Sequence, residues 1–216
     1  MTQGKLMNEG WVQGYVLNSF CRKLFRDNHP RDSLKHFFFH TMSEYFLEKY
    51  TTQSKKEKMK ECVMNAFEGA GSAMTLHLSN MLYFPSLHMQ HWFLFIVDLR
   101  DEKYIFLDSL FALTIKKFTQ AWHDCGLPSQ RFDEYGILYS RVPKQNNGHD
   151  CGIFVMKFME QWDPRNQPSC AFSKDDIPSI RVKICNEIMF SKHNVQEDAK
   201  HFIWNFNPAM YIPGSQ

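Results

Sequence analysis

The chain has 216 residues, of which 44% are hydrophobic and 15% aromatic, enough apolar material for the core of one domain. Its formal net charge of +2 with 22% charged residues lacks the strongly basic footprint of a protein that tracks phosphates, so no nucleic-acid partner is expected. The apolar run Trp92 to Val97 is far shorter than the roughly 20 residues of a membrane span, and Met1 to Leu6 lack the charged head and apolar core of a secretory signal, so a cytoplasmic or nuclear protein without membrane attachment is expected.

From Trp11 to Leu24 the residues Val12, Tyr15, Val16 and Phe20 recur at helical spacing and predict a first helix. Asp32 or Ser33 is placed to cap a second, whose aromatic face would run through Leu34, Phe37, Phe38, Met42, Tyr45 and Phe46. The lysine-rich run Ser54 to Lys60 reads as the solvated face of a third helix that ends near Gly69 and Gly71. The pattern then changes to short strand-like runs, Met74 to Leu78, His91 to Asp98, Tyr104 to Asp108 and Tyr135 to Val142. Between the last two, Ile115, Phe118, Trp122 and Cys125 describe an amphipathic helix closed by Gly126. Another helix opens at Cys151 and runs to about Trp162 with Phe154, Val155, Phe158, Met159 and Trp162 inward, and a last one covers about Ile180 to Phe190. The expected architecture is α+β, a single domain with helices around a small, mainly antiparallel sheet.

Six cysteines stand at 21, 62, 125, 151, 170 and 185. Without a secretory signal they are expected as reduced thiols, and no Cys-x-x-Cys pair supplies a zinc site, so no metal is expected. Five read as small buried hydrophobes. Cys151 differs because a polar loop, Val142 to Asp150, feeds an apolar helix and places this thiol at the junction. Unpaired N–H groups and the dipole of a helix N-terminus favour a thiolate. Gly152 permits close approach by a strand or substrate, and the amide of Cys151 can serve an oxyanion hole. Gln145 offers a neutral N–H donor that does not compete for the thiol proton.

The strands on either side of Asp98 to Lys103 form a hairpin. If its turn centres between Leu99 and Arg100, His91 lies directly opposite Asp108, with Cβ atoms about 4.5–5.5 Å apart, within reach of a carboxylate-to-imidazole hydrogen bond. A purely structural cross-strand pair would look the same.

Together these segments resemble the ubiquitin-like-protein-specific proteases, the family that includes the SUMO (sentrin) proteases. Its members share a His-Trp opening a strand, an Asp-Ser closing the next and a Gln-x-x-x-x-Asp-Cys-Gly loop. Here these are His91-Trp92, Asp108-Ser109 and Gln145 to Gly152, in the same order, and the resemblance runs from about Trp11 to Trp162. It implies a papain-like fold, Cys151 as nucleophile, His91 as base, Asp108 as orienter of the imidazole and Gln145 in the oxyanion hole, with no cofactor. Trp92 and Trp11 would hold an extended Gly-Gly tail. A ubiquitin-like modifier, SUMO first, and its conjugates are the implied partners, and the enzyme is expected as a monomer. One departure stands out. The first tryptophan of the family usually continues as Trp-Leu-x-Asp, whereas this chain has Trp11-Val12-Gln13-Gly14, which loses an acidic contact to the modifier. Two other functions compete: a catalytically silent module that binds a ubiquitin-like protein, and a thioester-forming acyltransferase, for which no phosphate-cradling loop is evident.

Overall fold

The computed structural model describes residues 10–47, 52–107, 112–140, 142–162, 164 and 172–206. Among these residues five strands form one mixed sheet in sequence order: β1 (Lys35–Phe37), β2 (Met81–His88), β3 (His91–Asp98), β4 (Lys103–Leu107) and β5 (Gly136–Tyr139). The central pairs β2/β3 and β3/β4 are antiparallel, and the two outer strands join in parallel. Among the described residues eight helices surround them: α1 (Gly14–Asp27), α2 (Pro30–Ser33), α3 (His40–Leu47), α4 (Gln53–Ala73), α5 (Ala112–Asp124), α6 (Cys151–Gln161), α7 (Ile177–Met189) and α8 (Glu197–Trp204). The α+β, papain-like class expected from the sequence is the one observed.

Strand β3 explains the layering. Its side chains alternate between faces, so Trp92, Leu94 and Ile96 enter one core with α1, α6 and α7, while Phe93, Phe95 and Val97 enter the other with α3, α4 and α5. A strand covered on both sides must be apolar throughout, and Trp92 to Val97 are all buried. Burial of each such side chain contributes roughly 1.5–3 kcal/mol, so the middle strand is the most strongly anchored platform on which a site could be built.

Several expectations need correction. The aromatic stripe from Leu34 to Phe46 is not one helix. Leu34 adopts the left-handed conformation at φ 57° and closes the short α2; Lys35 to Phe37 then pair with Met81 to Tyr83, and a helix resumes only at His40. Met74 to Leu78 form no strand: Leu76–Leu78 is a 3-10 turn, and the strand begins at Met81. That strand, β2, was hidden by Pro85, which a central strand rarely accepts. Here β1 has already ended at the Phe37–Tyr83 pair, so on that side Pro85 has no strand to which it would owe a donor. Helix α4 continues through Gly69 and Gly71, around which a side chain would find open space. Strand β5 is shorter than expected, and α8, whose residues are all at least partly exposed, lies beyond the last expected helix.

The cysteines divide more evenly than expected. Cys21 is buried, Cys125 half-buried, and Cys62 and Cys185 are exposed on the solvent sides of α4 and α7, where their helix phase and not their polarity decides accessibility. Burial pushes the thiol of Cys125 up to about 11 and that of Cys21 higher still. Cys170 lies outside the described residues.

Candidate active site

His91 stands at the first position of β3 because a two-residue turn ends β2 beside it: His88 pairs with His91, and Met89 and Gln90 both take positive φ, 46° and 60°. This is the geometry a two-residue hairpin requires, and neither residue is the glycine or asparagine that adopts it at least cost. The hairpin on the other end of β3 has a register different from the expected one. Asp98 pairs with Lys103 and Leu94 with Leu107, so the turn centres between Arg100 and Asp101, two residues away in pairing from the arrangement that set His91 opposite Asp108. The buried Asp98 accounts for the difference. Its Oδ1 accepts the N–H groups of Arg100 (3.2 Å) and Asp101 (2.9 Å), and Glu102 completes the turn at φ 51°. A shift of two keeps every side chain on its face. Asp108 itself, with Ser109, lies outside the described residues.

Cys151 is the first residue of α6, as the loop-to-helix pattern predicts, and is 2% exposed. His91, Gln145 and Cys151 line one cleft of about 690 Å³, together with Trp92, Lys144 and Phe154. The structure thus brings together three of the four catalytic candidates, from β3, from the loop and from the start of α6.

Trp92 lines one wall of this cleft, and Trp11 packs behind it. Trp92 is buried and donates its indole N–H to the carbonyl of Val12 at 3.0 Å; the rings of Trp11 and Trp92 stack with centroids 6.5 Å apart and planes at 30°. Gly152 is not turned toward the cleft. A Cβ there would stand 2.5 Å from the Cβ of Val12 and 3.2 Å from the Trp92 ring, so the close approach it permits is made by the chain's own N-terminal segment. The missing side chain at Gly14 is also accounted for. A Cβ at Gly14 would meet the His40 ring at 2.5 Å, and that ring stands edge-on to Trp92 with centroids 5.4 Å apart and Nδ1 2.8 Å from Oδ1 of Asn18. Burial holds the imidazole of His40 below its usual range. His40 therefore occupies the space next to Trp92 that the loss of a side chain at position 14 leaves.

Arg181, which sequence reasoning missed, completes the neighbourhood by pairing with the motif residue Asp150. Asp150, 8% exposed, is held by Arg181 of α7 through Nε at 3.2 Å and through Nη2, and by Asn147 Nδ2 at 2.6 Å. Nothing in the local pattern of α7 distinguishes Arg181 from a solvated arginine, because its partner lies 31 residues away.

The chain matches the family described as Ulp1 protease family, C-terminal catalytic domain, over residues 11–193, well past Trp162 where the resemblance in motifs ends. It is 25% identical over 189 residues to the putative ubiquitin-like-specific protease 1B of Arabidopsis thaliana, covering 83% of this chain and 54% of that protein. It is 27% identical over 203 residues to sentrin-specific protease 3 of Mus musculus, covering 89% and 32%. The chain therefore spans about half or less of the curated relatives' length. Among solved structures, SUMO protease Ulp1 with its catalytic cysteine oxidised to a sulfinic acid superposes with a TM-score of 0.62 at 16% identity, covering 90% of this chain and 81% of that one. The Ulp1 protease domain in complex with Smt3, the yeast orthologue of SUMO, gives 0.59 at 16% identity, covering 82% and 76%. At these identities the structures bear on the fold alone.

Proposed function

The chain belongs to the Ulp1 protease family, and from that premise we propose that it is a cysteine peptidase and isopeptidase that cleaves after the C-terminal Gly-Gly of a ubiquitin-like modifier, with SUMO the first candidate. The observation that carries the reading is the convergence of His91, Gln145 and Cys151 on one cleft, with the thiol at a helix N-terminus.

In this reading His91 takes the thiol proton and Cys151 Sγ attacks the carbonyl carbon of the terminal glycine. The tetrahedral oxyanion is held by the Gln145 side-chain amide and the backbone N–H of Cys151. Its collapse breaks the C–N bond, the imidazolium gives its proton to the leaving amine, and a thioester remains. Water, deprotonated by His91, releases the modifier's carboxylate and regenerates the thiol. Asp108 is assigned the orienting role by resemblance: a carboxylate that fixes the imidazole tautomer and supports its charged form. Trp11 and Trp92 are assigned the tail. A backbone passed between two rings needs about 7–8 Å, two van der Waals contacts, so the rings at 6.5 Å would part slightly on entry. The same reading takes the whole chain as one catalytic domain acting as a monomer in the nucleus or cytoplasm.

The test is a panel of ubiquitin-like modifiers carrying C-terminal electrophiles. A covalent adduct with at least one, absent in Cys151→Ala, supports the mechanism and identifies the modifier. A folded protein that forms no adduct with any of them would overturn it.

A further inference from the structure

Asp150 immediately precedes the nucleophile at the N-cap of α6, yet its carboxylate makes no bond to the helix. An N-cap aspartate ordinarily accepts the N–H of the second or third helical residue. Here the backbone carbonyl of Asp150 receives Ile153 N–H (2.9 Å) and Phe154 N–H (3.1 Å), while both carboxylate oxygens turn away: Oδ2 to Asn147 at 2.6 Å and Oδ1 to Arg181. The clamp extends through the loop. Arg181 Nη2 also donates to the His149 carbonyl at 3.3 Å, and Asn147 Oδ1 accepts the N–H groups of His149 (3.1 Å) and Asp150 (3.0 Å). Gly10, at φ +83°, is packed against it so closely that a Cβ would stand 2.9 Å from the His149 ring and 3.4 Å from Arg181 Nη2.

This arrangement has an electrostatic consequence for the next residue. The first-turn amides of α6 are left to favour an anion on Cys151, but a buried carboxylate one residue away is a like charge that disfavours one. We propose that Arg181 is a positioning residue of this site: by neutralising Asp150 and tying the loop before Cys151 to α7, it removes a like charge that would oppose an anion on the Cys151 sulfur. The inference rests on the reading of Cys151 as nucleophile. Among the described residues, the charged and titratable groups that share the cleft with Cys151 or contact the neighbouring Asp150 are His91 from β3, Lys144 and His149 from the loop, and Arg181 from α7, and Asp150 is the carboxylate in this set. Its carboxyl is held below the usual carboxylate range: burial would raise it, and Arg181, Asn147 and His149 outweigh burial, so it carries its full charge at neutral pH and needs the arginine there.

The experiment follows the pH dependence of iodoacetamide alkylation of Cys151 in the folded protein, read on the Cys151 peptide by mass spectrometry so that exposed Cys62 and Cys185 do not contribute. Arg181→Met is expected to shift the profile upward and slow alkylation at pH 7 by up to about tenfold, the ceiling for a one-unit shift. Asp150→Asn, which leaves Arg181 uncompensated, is expected to shift it downward. The double variant, which removes both charges, should lie within about twofold of the parent at pH 7, the signature of paired charges that cancel. A loop merely loosened would move all three variants in one direction, and that result overturns the proposal, as does a folded Arg181→Met with the parent profile. If Arg181→Met does not fold, Asp150→Asn and the double variant still decide the sign. No modifier is used, so the outcome is independent of whether the electrophile panel yields an adduct.

Discussion

The indole N–H of Trp92 donates to the Val12 carbonyl at 3.0 Å, and this bond fixes the N-terminal segment where it fills the space beside Gly152. Two of the most sequence-specific features of the chain, the tryptophan after the histidine and the glycine after the cysteine, thus meet on one backbone segment. Gly152→Ala would place its methyl 2.5 Å from the Val12 Cβ, and neither can yield easily, one being at the start of α6 and the other held by Trp92. A loss of about 1–3 kcal/mol, the usual penalty of overpacking, is expected in urea unfolding, together with slower adduct formation. Val12→Gly in the same chain should recover part of the stability. An unchanged midpoint for Gly152→Ala alone would show that the segment is not fixed.

For the chemistry, Asp108→Asn is expected to leave the unfolding midpoint nearly unchanged and to lower kcat by about 10³–10⁴-fold, because an amide favours the wrong imidazole tautomer. Gln145→Ala should cost about 10²–10³-fold in kcat, the range for one oxyanion donor. Steady-state kinetics with the modifier identified by adduct formation measures both. Near-parental turnover in either variant would remove that residue from the mechanism.

The exchange at position 14 makes a paired prediction. Gly14→Asp alone should destabilise the fold, since its Cβ would lie 2.5 Å from the His40 ring, whereas Gly14→Asp with His40→Ala has room for the carboxylate. If the acidic residue contributes to SUMO recognition, the double variant should show a lower KM for a SUMO substrate than the parent, with kcat little changed. A KM no lower than the parent's would mean that modifier choice is made elsewhere.

Acid stability should depend on His36, buried on β1. Burial lowers its imidazole pKa to about 4, below that of an unfolded histidine near 6.5, so the unfolded chain takes up the extra proton between these values. Stability is therefore retained above about pH 6.5 and lost as pH falls toward about 4. Urea unfolding at pH 7 and pH 5 should differ by on the order of 1–2 kcal/mol from this group, and His36→Phe should reduce that difference. An equal pH 7 to pH 5 difference in the variant would assign the loss to other groups.

What could be read along the chain was what depends on neighbours in sequence. The apolar run of β3 and the loop-to-helix junction at Cys151 carry their own periodicity and their own breakers, and both appear where expected, with His91 and Cys151 at their first positions. The motif order His91, Asp108, Gln145 and Cys151 likewise sufficed to indicate the family. Tertiary structure decided the rest. Whether Lys35 to Phe37 extend a helix or pair with Met81 to Tyr83 depends on a partner more than 40 residues away, and the aromatic stripe around them satisfies both patterns. The register of the β3/β4 hairpin was settled by the side chain of Asp98 binding the turn amides, an effect that alternation of apolar residues does not encode. Arg181, His40 and the seat of Gly152 became legible only when separate segments were packed together, because a neutralising charge, a filled vacancy and a close backbone approach are properties of pairs that the chain order leaves far apart.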